Sequence, residues 1–202
     1  MSDFIRFFIP IYFVLFFAVS FLGISIAVAN KIGKNPNVLP KDDSAYALVG
    51  WYFKVILAVL FIYTILPLAF PTVGEDFKIH LFDRNFFRYT GIGLMLIAFI
   101  WVVIAQIQMK TSWRIGIDNH MKTELVTTGL FQYSRNPVFL GMTLSLIGFF
   151  FTFPTVTAFF LLITGNILMQ IQIRLEEEHL LRQHGSVYLA YKKRVARMLS
   201  LY

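Results

Sequence analysis

Apolar and polar residues follow one another along this chain in long blocks rather than in short periods. Phe4 to Ala29 is apolar almost without a break, Asn30 to Ser44 is polar, and Ala45 to Phe70 is apolar again. Pro71 to Arg88 carries mixed charge, and Tyr89 to Met109 returns to apolar sequence until Gln106 and Gln108. After a further polar interval come two shorter apolar runs, Pro137 to Phe153 and Thr155 to Ile173, separated by Pro154. Crossing ~30 Å of hydrocarbon takes about 20 residues of helix, so the pattern predicts an all-α integral membrane protein with five transmembrane helices. The last two form a hairpin that only just crosses. The first run, Phe7 to Ile26, is too long for a signal-peptide core and Asp3 offsets Arg6 ahead of it, so it is expected to stay as the first span.

The polar blocks carry local signals. Asp43 or Ser44 can cap the second span, and Lys54 lies about 14 Å along that helix, a depth from which a long side chain reaches back to the interface. Gly91 and Gly93 sit inside an apolar run with no strand before them, which excludes a nucleotide loop. Trp113, Arg114, Asp118, His120, Lys122 and Glu124 make a polar loop before Thr127. Beyond Ile173 the chain turns polar, Gly185 ends one helical piece, and Ser186 opens another. Leu180, Leu181, Val187, Tyr188, Tyr191, Val195 and Met198 recur among basic residues there. They predict amphipathic helices lying on the membrane surface or on the protein's own face. The chain reads as a single membrane domain, 1–202, in which residues 1–112 hold three spans and their loops, and 113–202 hold a loop, two spans and the C-terminal helices.

Composition narrows the chemistry. With 57% hydrophobic and 14% charged residues, spans and short connections use up the length and no separate soluble domain fits. The chain has no cysteine, which excludes disulfides, thiolate nucleophiles, zinc–cysteine sites and iron–sulfur clusters. All four histidines fall in loops or the tail, so neither a membrane haem nor a metal site is expected. A net charge of +7 has a topological explanation and does not require nucleic acid. With five spans, Arg6, Lys78, Arg84 and Arg88 lie on one side and every other Lys or Arg except Lys54 on the opposite side. Positive residues stay cytoplasmic, which predicts an N-terminus outside and a cytoplasmic C-terminus.

The interval Thr127 to Gly141 stands out on that predicted cytoplasmic side. Gly129 frees a turn, Pro137 suits the first position of a helix, and Asn136 before it is steered away from helical dihedrals. Arg135 thus arrives just ahead of a span as a permanent cation with a planar fork of donors. Farther on, Asn166, Gln170, Arg174 and Glu177 recur at spacings that keep them within about 80° on a helix, a polar stripe emerging from the last span. Glu178 lies further round the same turn. Two arginines, two or three carboxylates and the aromatic Phe131, Tyr133 and Phe139 would suit a zwitterion bearing ammonium, sulfonium and carboxylate groups. The lower end of such a site would open among apolar helices to a lipidic acceptor.

Glu124-Leu-Val-Thr-Thr-Gly-Leu-Phe-Gln-Tyr-Ser-Arg-Asn-Pro-Val-Phe-Leu-Gly141, followed by Arg174-Leu-Glu-Glu-Glu178 and His184-Gly-Ser-Val-Tyr-Leu-Ala-Tyr191, resembles the isoprenylcysteine carboxyl methyltransferase family and its phospholipid methyltransferase relatives. The likeness runs from Trp113 to Leu199. It implies an integral membrane methyltransferase that uses S-adenosylmethionine without a Rossmann domain. By carry-over, Thr123, Glu124, Leu125 and Val126 would line the cofactor, Phe131 would take an aromatic position, and Asn136, Pro137 and Phe139 would continue the wall. Glu177 or Glu178 would hold the cofactor's polar end and Arg174 would receive an acceptor carboxylate, so Arg174, Glu177, Glu178 and Arg135 form the implied catalytic group. Asn136 and Thr123 stand where histidines are usual in that family, and Phe131 and Phe139 where tyrosines are. The resulting expectation is carboxyl O-methylation of a lipidic or prenylated acceptor. The alternatives are N-methylation of a phospholipid amine, or a non-catalytic binding protein on the same fold.

Overall fold

The computed structural model describes residues 3–39, 42–74, 77–116 and 123–199. Asp118, His120 and Lys122 of the polar loop lie outside them. Every regular element among the described residues is a helix. α1 (Asp3–Phe17) passes through a π turn, Ala18–Gly23, directly into α2 (Ile24–Ile32). α3 (Ala45–Ala69) is capped by Ser44, whose hydroxyl accepts the Ala47 N–H at 3.2 Å. α4 (Asn85–Met109), α5 (Pro137–Thr152) and α6 (Val156–His184) follow, and Gly185 joins α6 to the short α7 (Ser186–Arg194).

Four stretches have the length and apolarity to cross a membrane: Asp3–Ile32, Ala45–Ala69, Asn85–Ser112 and Val156–His184. Only 22–33% of their apolar windows is buried within the protein, which leaves large side chains such as Phe7, Trp51, Ile100 and Phe160 on the outside. Lipid is the solvent that such faces require, so this is an integral membrane protein. Lys54 also lies on the exposed side of α3, where its stem can run along apolar surface to water.

Where the sequence predicted five full spans, four helices have the necessary length. α5 has 16 residues, roughly 24 Å of helix against ~30 Å of hydrocarbon. It lies antiparallel to α4, and glycine lets the two backbones meet. A Cβ on Gly91 would come within 2.5 Å of the Gly148 carbonyl oxygen, and one on Gly148 within 2.7 Å of that of Gly91. Two further boundaries differ from expectation: α4 begins at Asn85 rather than Tyr89, and α6 runs on past Ile173 to His184.

Both ends of the bundle are closed by polar contacts. At one end the Thr155 hydroxyl caps α6 by accepting the Ala158 N–H at 3.1 Å and pairs with the Tyr63 hydroxyl at 2.6 Å. At the other, the N–H of Val38 donates to the Ile115 carbonyl at 2.9 Å and that of Ile115 to Pro36 at 3.0 Å, joining two loops. Between them Tyr12 reaches across from α1 and donates to the Met95 carbonyl at 2.9 Å, next to Ser145. The interval before α5, the end of α6 and α7 all gather at the end that carries Ile115.

Candidate functional site

Local geometry delivers Arg135 to one spot. Gly129 has φ +65°, and a Cβ there would lie 2.5 Å from the side chain of Gln108, so the position demands glycine on two counts. Gln108 in turn accepts the Leu130 N–H at 2.8 Å and fixes the 3₁₀ turn Gly129–Gln132 onto the end of α4. Pro137 then opens α5 at its first position. Arg135 and Asn136, caught between the turn and the helix, face Glu177 of α6.

The Glu177 carboxylate is 5% exposed and fully engaged. Its Oε1 accepts from Arg135 Nε at 3.0 Å, Arg135 Nη2 at 2.8 Å and Asn136 Nδ2 at 3.3 Å. Its Oε2 accepts from Arg197 Nε at 3.1 Å and Nη2 at 3.0 Å. Two guanidiniums on one buried carboxylate make a charge-assisted clamp with no acceptor left over for a ligand. The clamp also ties down the tail. Arg135 Nη1 donates to the Lys192 carbonyl at 3.0 Å and to that of Val195, while the Arg135 N–H meets the Ala196 carbonyl at 3.0 Å. Asn136 Nδ2 reaches the Arg197 carbonyl at 3.0 Å, and the Tyr191 hydroxyl donates to the Phe131 carbonyl at 2.6 Å. Tyr188, Tyr191 and Val195 are buried with Leu125, Leu180 and Leu181 against them. Of the two sequence expectations for α7, packing on the protein's own face is the one observed. Burial, with the Glu177 carboxylate as the next cause, pushes the Tyr188 phenol up from 10.0 to about 12, and burial raises Tyr191 as well.

Beside the clamp lies a cleft of about 740 Å³, its open mouth included. Thr123, Glu124, Leu125, Val126, Phe131 and Arg135, all singled out in the sequence, line it. So do Met109, Ser112 and Arg114 from one side and Glu176, His179 and Tyr191 from the other. The Ser112 hydroxyl donates to the Glu124 carbonyl at 3.1 Å and holds the 123–126 segment open along the cleft. Glu176 is half-buried; its Oε1 accepts from Gln172 Nε2 at 2.8 Å, and no ion pair engages it among the described residues.

The remaining expected residues stand elsewhere. Asn136 and Pro137 are buried behind the cleft, and Phe139 sits in the first turn of α5 without lining it. The polar stripe divides: Glu177 faces inward in the row Leu161, Gly165, Met169 and Ile173, whereas Arg174 is exposed. Arg174 folds back on its own helix, donating to the Gln170 carbonyl at 2.6 Å and to the Gln170 side chain at 3.2 Å. Glu178 is exposed too, paired with Arg182 at 2.7 Å on the side of α6 that meets Tyr46. One residue turns a helix by 100°, so Glu176, Glu177 and Glu178 look in three directions. Glu176, His179 and Tyr191 were not read as site residues from the sequence. The recurrence Gln172, Glu176, Leu180 was the available signal, a second helical row beside the one chosen.

No curated protein matches the chain. The family profile described as phospholipid methyltransferase matches residues 86–186, half of the chain. That interval opens at the start of α4 and closes just after α6, taking in the 3₁₀ turn, α5, the carboxylates of α6 and most of the lining of the cleft. Arg135, Asn136 and Glu177 of the clamp fall within it, Arg197 and Tyr191 fall beyond it, and the chain belongs to the phospholipid methyltransferase family, membrane enzymes that methylate lipids.

Proposed function

We propose that the protein moves a methyl group from S-adenosylmethionine to the amine of a lipid headgroup, with donor and headgroup meeting in the cleft beside Glu176. The cleft encloses about 120 Å³ and widens into an open mouth, so a small-molecule ligand would lie partly in that mouth. Its groups suit that donor: carboxylates of Glu124 and Glu176 for ammonium and sulfonium charge, the rings of Phe131 and Tyr191 for a cation or a flat base, and Leu125 and Val126 for apolar edges. When bound, S-adenosylmethionine supplies an electrophilic methyl group and leaves as the thioether.

The observation that carries the amine reading is the contrast between Glu176 and Arg174. A lipid amine arrives protonated and must give up a proton before its lone pair can attack, whereas a carboxylate needs no base. Glu176 lines the cleft with Oε2 uncommitted to Gln172 and is the group suited to take that proton. Arg174, the carboxylate receiver implied by resemblance, lies outside it. Leu125, Phe131 and Tyr191 exclude water and align the partners, the main service a methyltransferase site performs. Below the cleft, an apolar crevice lined by Phe13, Phe17, Leu57, Met142, Gly165 and Met169 encloses only about 40 Å³, so an acyl chain would lie along its open side rather than inside it. Met169 and Glu176 are two turns apart on α6, roughly 10 Å, a span that a glycerophospholipid bridges.

Carboxyl O-methylation is the second reading, and Arg114, a guanidinium on the cleft wall, favours it. The cytoplasmic orientation of the cleft end, with the N-terminus outside, is supported by the Lys and Arg gathered there. Purified protein given radiolabelled methyl donor and lipid extract tests the assignment: an amine product keeps its label in mild base and an ester loses it. Absence of calorimetric binding of S-adenosylmethionine and of its demethylated product would sink both readings and leave a binding protein on this fold.

A further inference from the structure

Lys192, Lys193 and Arg194 follow one another at the end of α7, and all three are exposed. Among the described residues no acidic side chain pairs with them. The acids nearest in sequence are engaged elsewhere, Glu177 by Arg135 and Arg197 and Glu178 by Arg182. The carbonyls of Lys192 and Val195 already receive Arg135, so the three cationic heads are not needed to satisfy the helix end.

The clamp also fixes their height. Arg135 stands two residues before Pro137, where apolar α5 begins, and its guanidinium holds the backbone of Lys192 and Val195 at that level. The basic run therefore sits at the rim of the hydrocarbon, where headgroup phosphates lie. Val187 and Leu189, 63% and 46% exposed, add apolar surface around the exposed part of α7. The opposite face of α7 is buried, and Tyr191 on it lines the cleft. The joint to α6 is Gly185, at φ +53° with nothing within 4 Å of the place a Cβ would take. One short helix thus shows cations to the leaflet and a ring to the site.

We propose that the outer face of α7 binds anionic phospholipid headgroups through Lys192, Lys193 and Arg194, and that this seating of α7 tightens the cleft around its methyl donor. The first half stands on charge and position alone; the second rests on the S-adenosylmethionine reading above. A topological bias would ask only that cations remain on one side, whereas here they are consecutive, without an acidic partner among the described residues, and held at one level by a buried arginine.

The cysteine-free sequence makes the test direct, because Ser186→Cys offers one attachment point for an environment-sensitive dye at the exposed start of α7. The full chain is placed in nanodiscs of phosphatidylcholine, or of phosphatidylcholine mixed with phosphatidylglycerol. The mixed discs should shift the dye emission to the blue and slow hydrogen exchange over residues 186–194, and added salt should reverse both. Inorganic phosphate added to neutral discs should do neither. Lys192→Gln/Lys193→Gln/Arg194→Gln should abolish the difference between disc types; should that protein fail to fold, Lys193→Glu alone reads the same contrast. Calorimetry with S-adenosylhomocysteine should give binding roughly three- to tenfold tighter in the mixed discs for the parent and equal in both for the variant. Identical dye signals in the two discs, or a variant that responds like the parent, overturns the surface. A response to phosphate in neutral discs overturns the lipid as its ligand. A dye response with equal S-adenosylhomocysteine affinities removes the coupling, and a dye response with no S-adenosylhomocysteine binding in either disc leaves the surface standing and sinks the methyl-donor reading instead.

Discussion

Glu177 and Glu176 are neighbours in the chain and opposites in the molecule. Glu177 is sealed between Arg135, Arg197 and Asn136, with both oxygens occupied, whereas Glu176 looks into the cleft with an amide as its one side-chain partner among the described residues. The clamp fastens the tail to the turn before α5, and the cleft beside it is the proposed seat of the methyl donor. In a run of three carboxylates, charge identifies none of the roles. What separates them is how completely each is satisfied by its own protein, since a fully paired buried ion is committed to structure while a half-buried, unpaired one retains capacity for chemistry.

The contrast can be broken from either side. Glu177→Ala leaves Arg135 buried without its counter-ion and should lower stability by about 3–5 kcal/mol. Thermal unfolding in detergent measures this, and a midpoint equal to the parent's would mean that the clamp holds nothing. Glu176→Gln should leave that midpoint alone and cut methyl transfer by a factor on the order of 10²–10⁴, the usual share of a proton acceptor. If it unfolds the protein as Glu177→Ala does, the two carboxylates do one job. Gly129→Ala sharpens the picture of the turn: the left-handed backbone should cost about 1–2 kcal/mol, and adding Gln108→Ala should recover only the steric part. Tyr191→Phe, which removes the hydroxyl bonded to the Phe131 carbonyl, should cost about 1 kcal/mol and loosen α7 in hydrogen exchange. Arg174→Gln should be the mildest, within about 0.5 kcal/mol in stability and with turnover unchanged. A severe loss of turnover there would return Arg174 to the acceptor, as the resemblance implied.

Much of this was legible before any coordinates. The apolar blocks located the helices, although α6 runs eleven residues beyond its block, Ser44 capped where it should, and the turn at Gly129 was plain from its residues. That Arg135 and the acidic end of α6 share a site was also readable, because the charge asymmetry put both on one side of the membrane. The choice among Glu176, Glu177 and Glu178 was not. An ideal wheel groups Glu177 with Arg174, but the bundle turns the Leu161, Gly165, Met169, Ile173 row inward and carries Glu177 with it. The demand of Gln108 for a glycine at 129 links positions far apart in the chain, which local pattern cannot register. Hydropathy marked Pro137 to Phe153 as a short run but could not show that its glycine meets the backbone of α4, since a run of apolar residues looks the same whether it faces lipid or another helix.

The contact between Gly91 and Gly148 lies about 27 Å along α4 from Met109, where the loop that lines the cleft departs. That loop ends on Pro137, so both of its anchors belong to a pair of helices in backbone contact near their opposite ends. The described part of that loop before α5, residues 123–136, is thus mounted on one helix pair, its placement set by a joint it never touches. A methyl group added at either glycine should therefore alter the shape of the cleft before either helix comes apart.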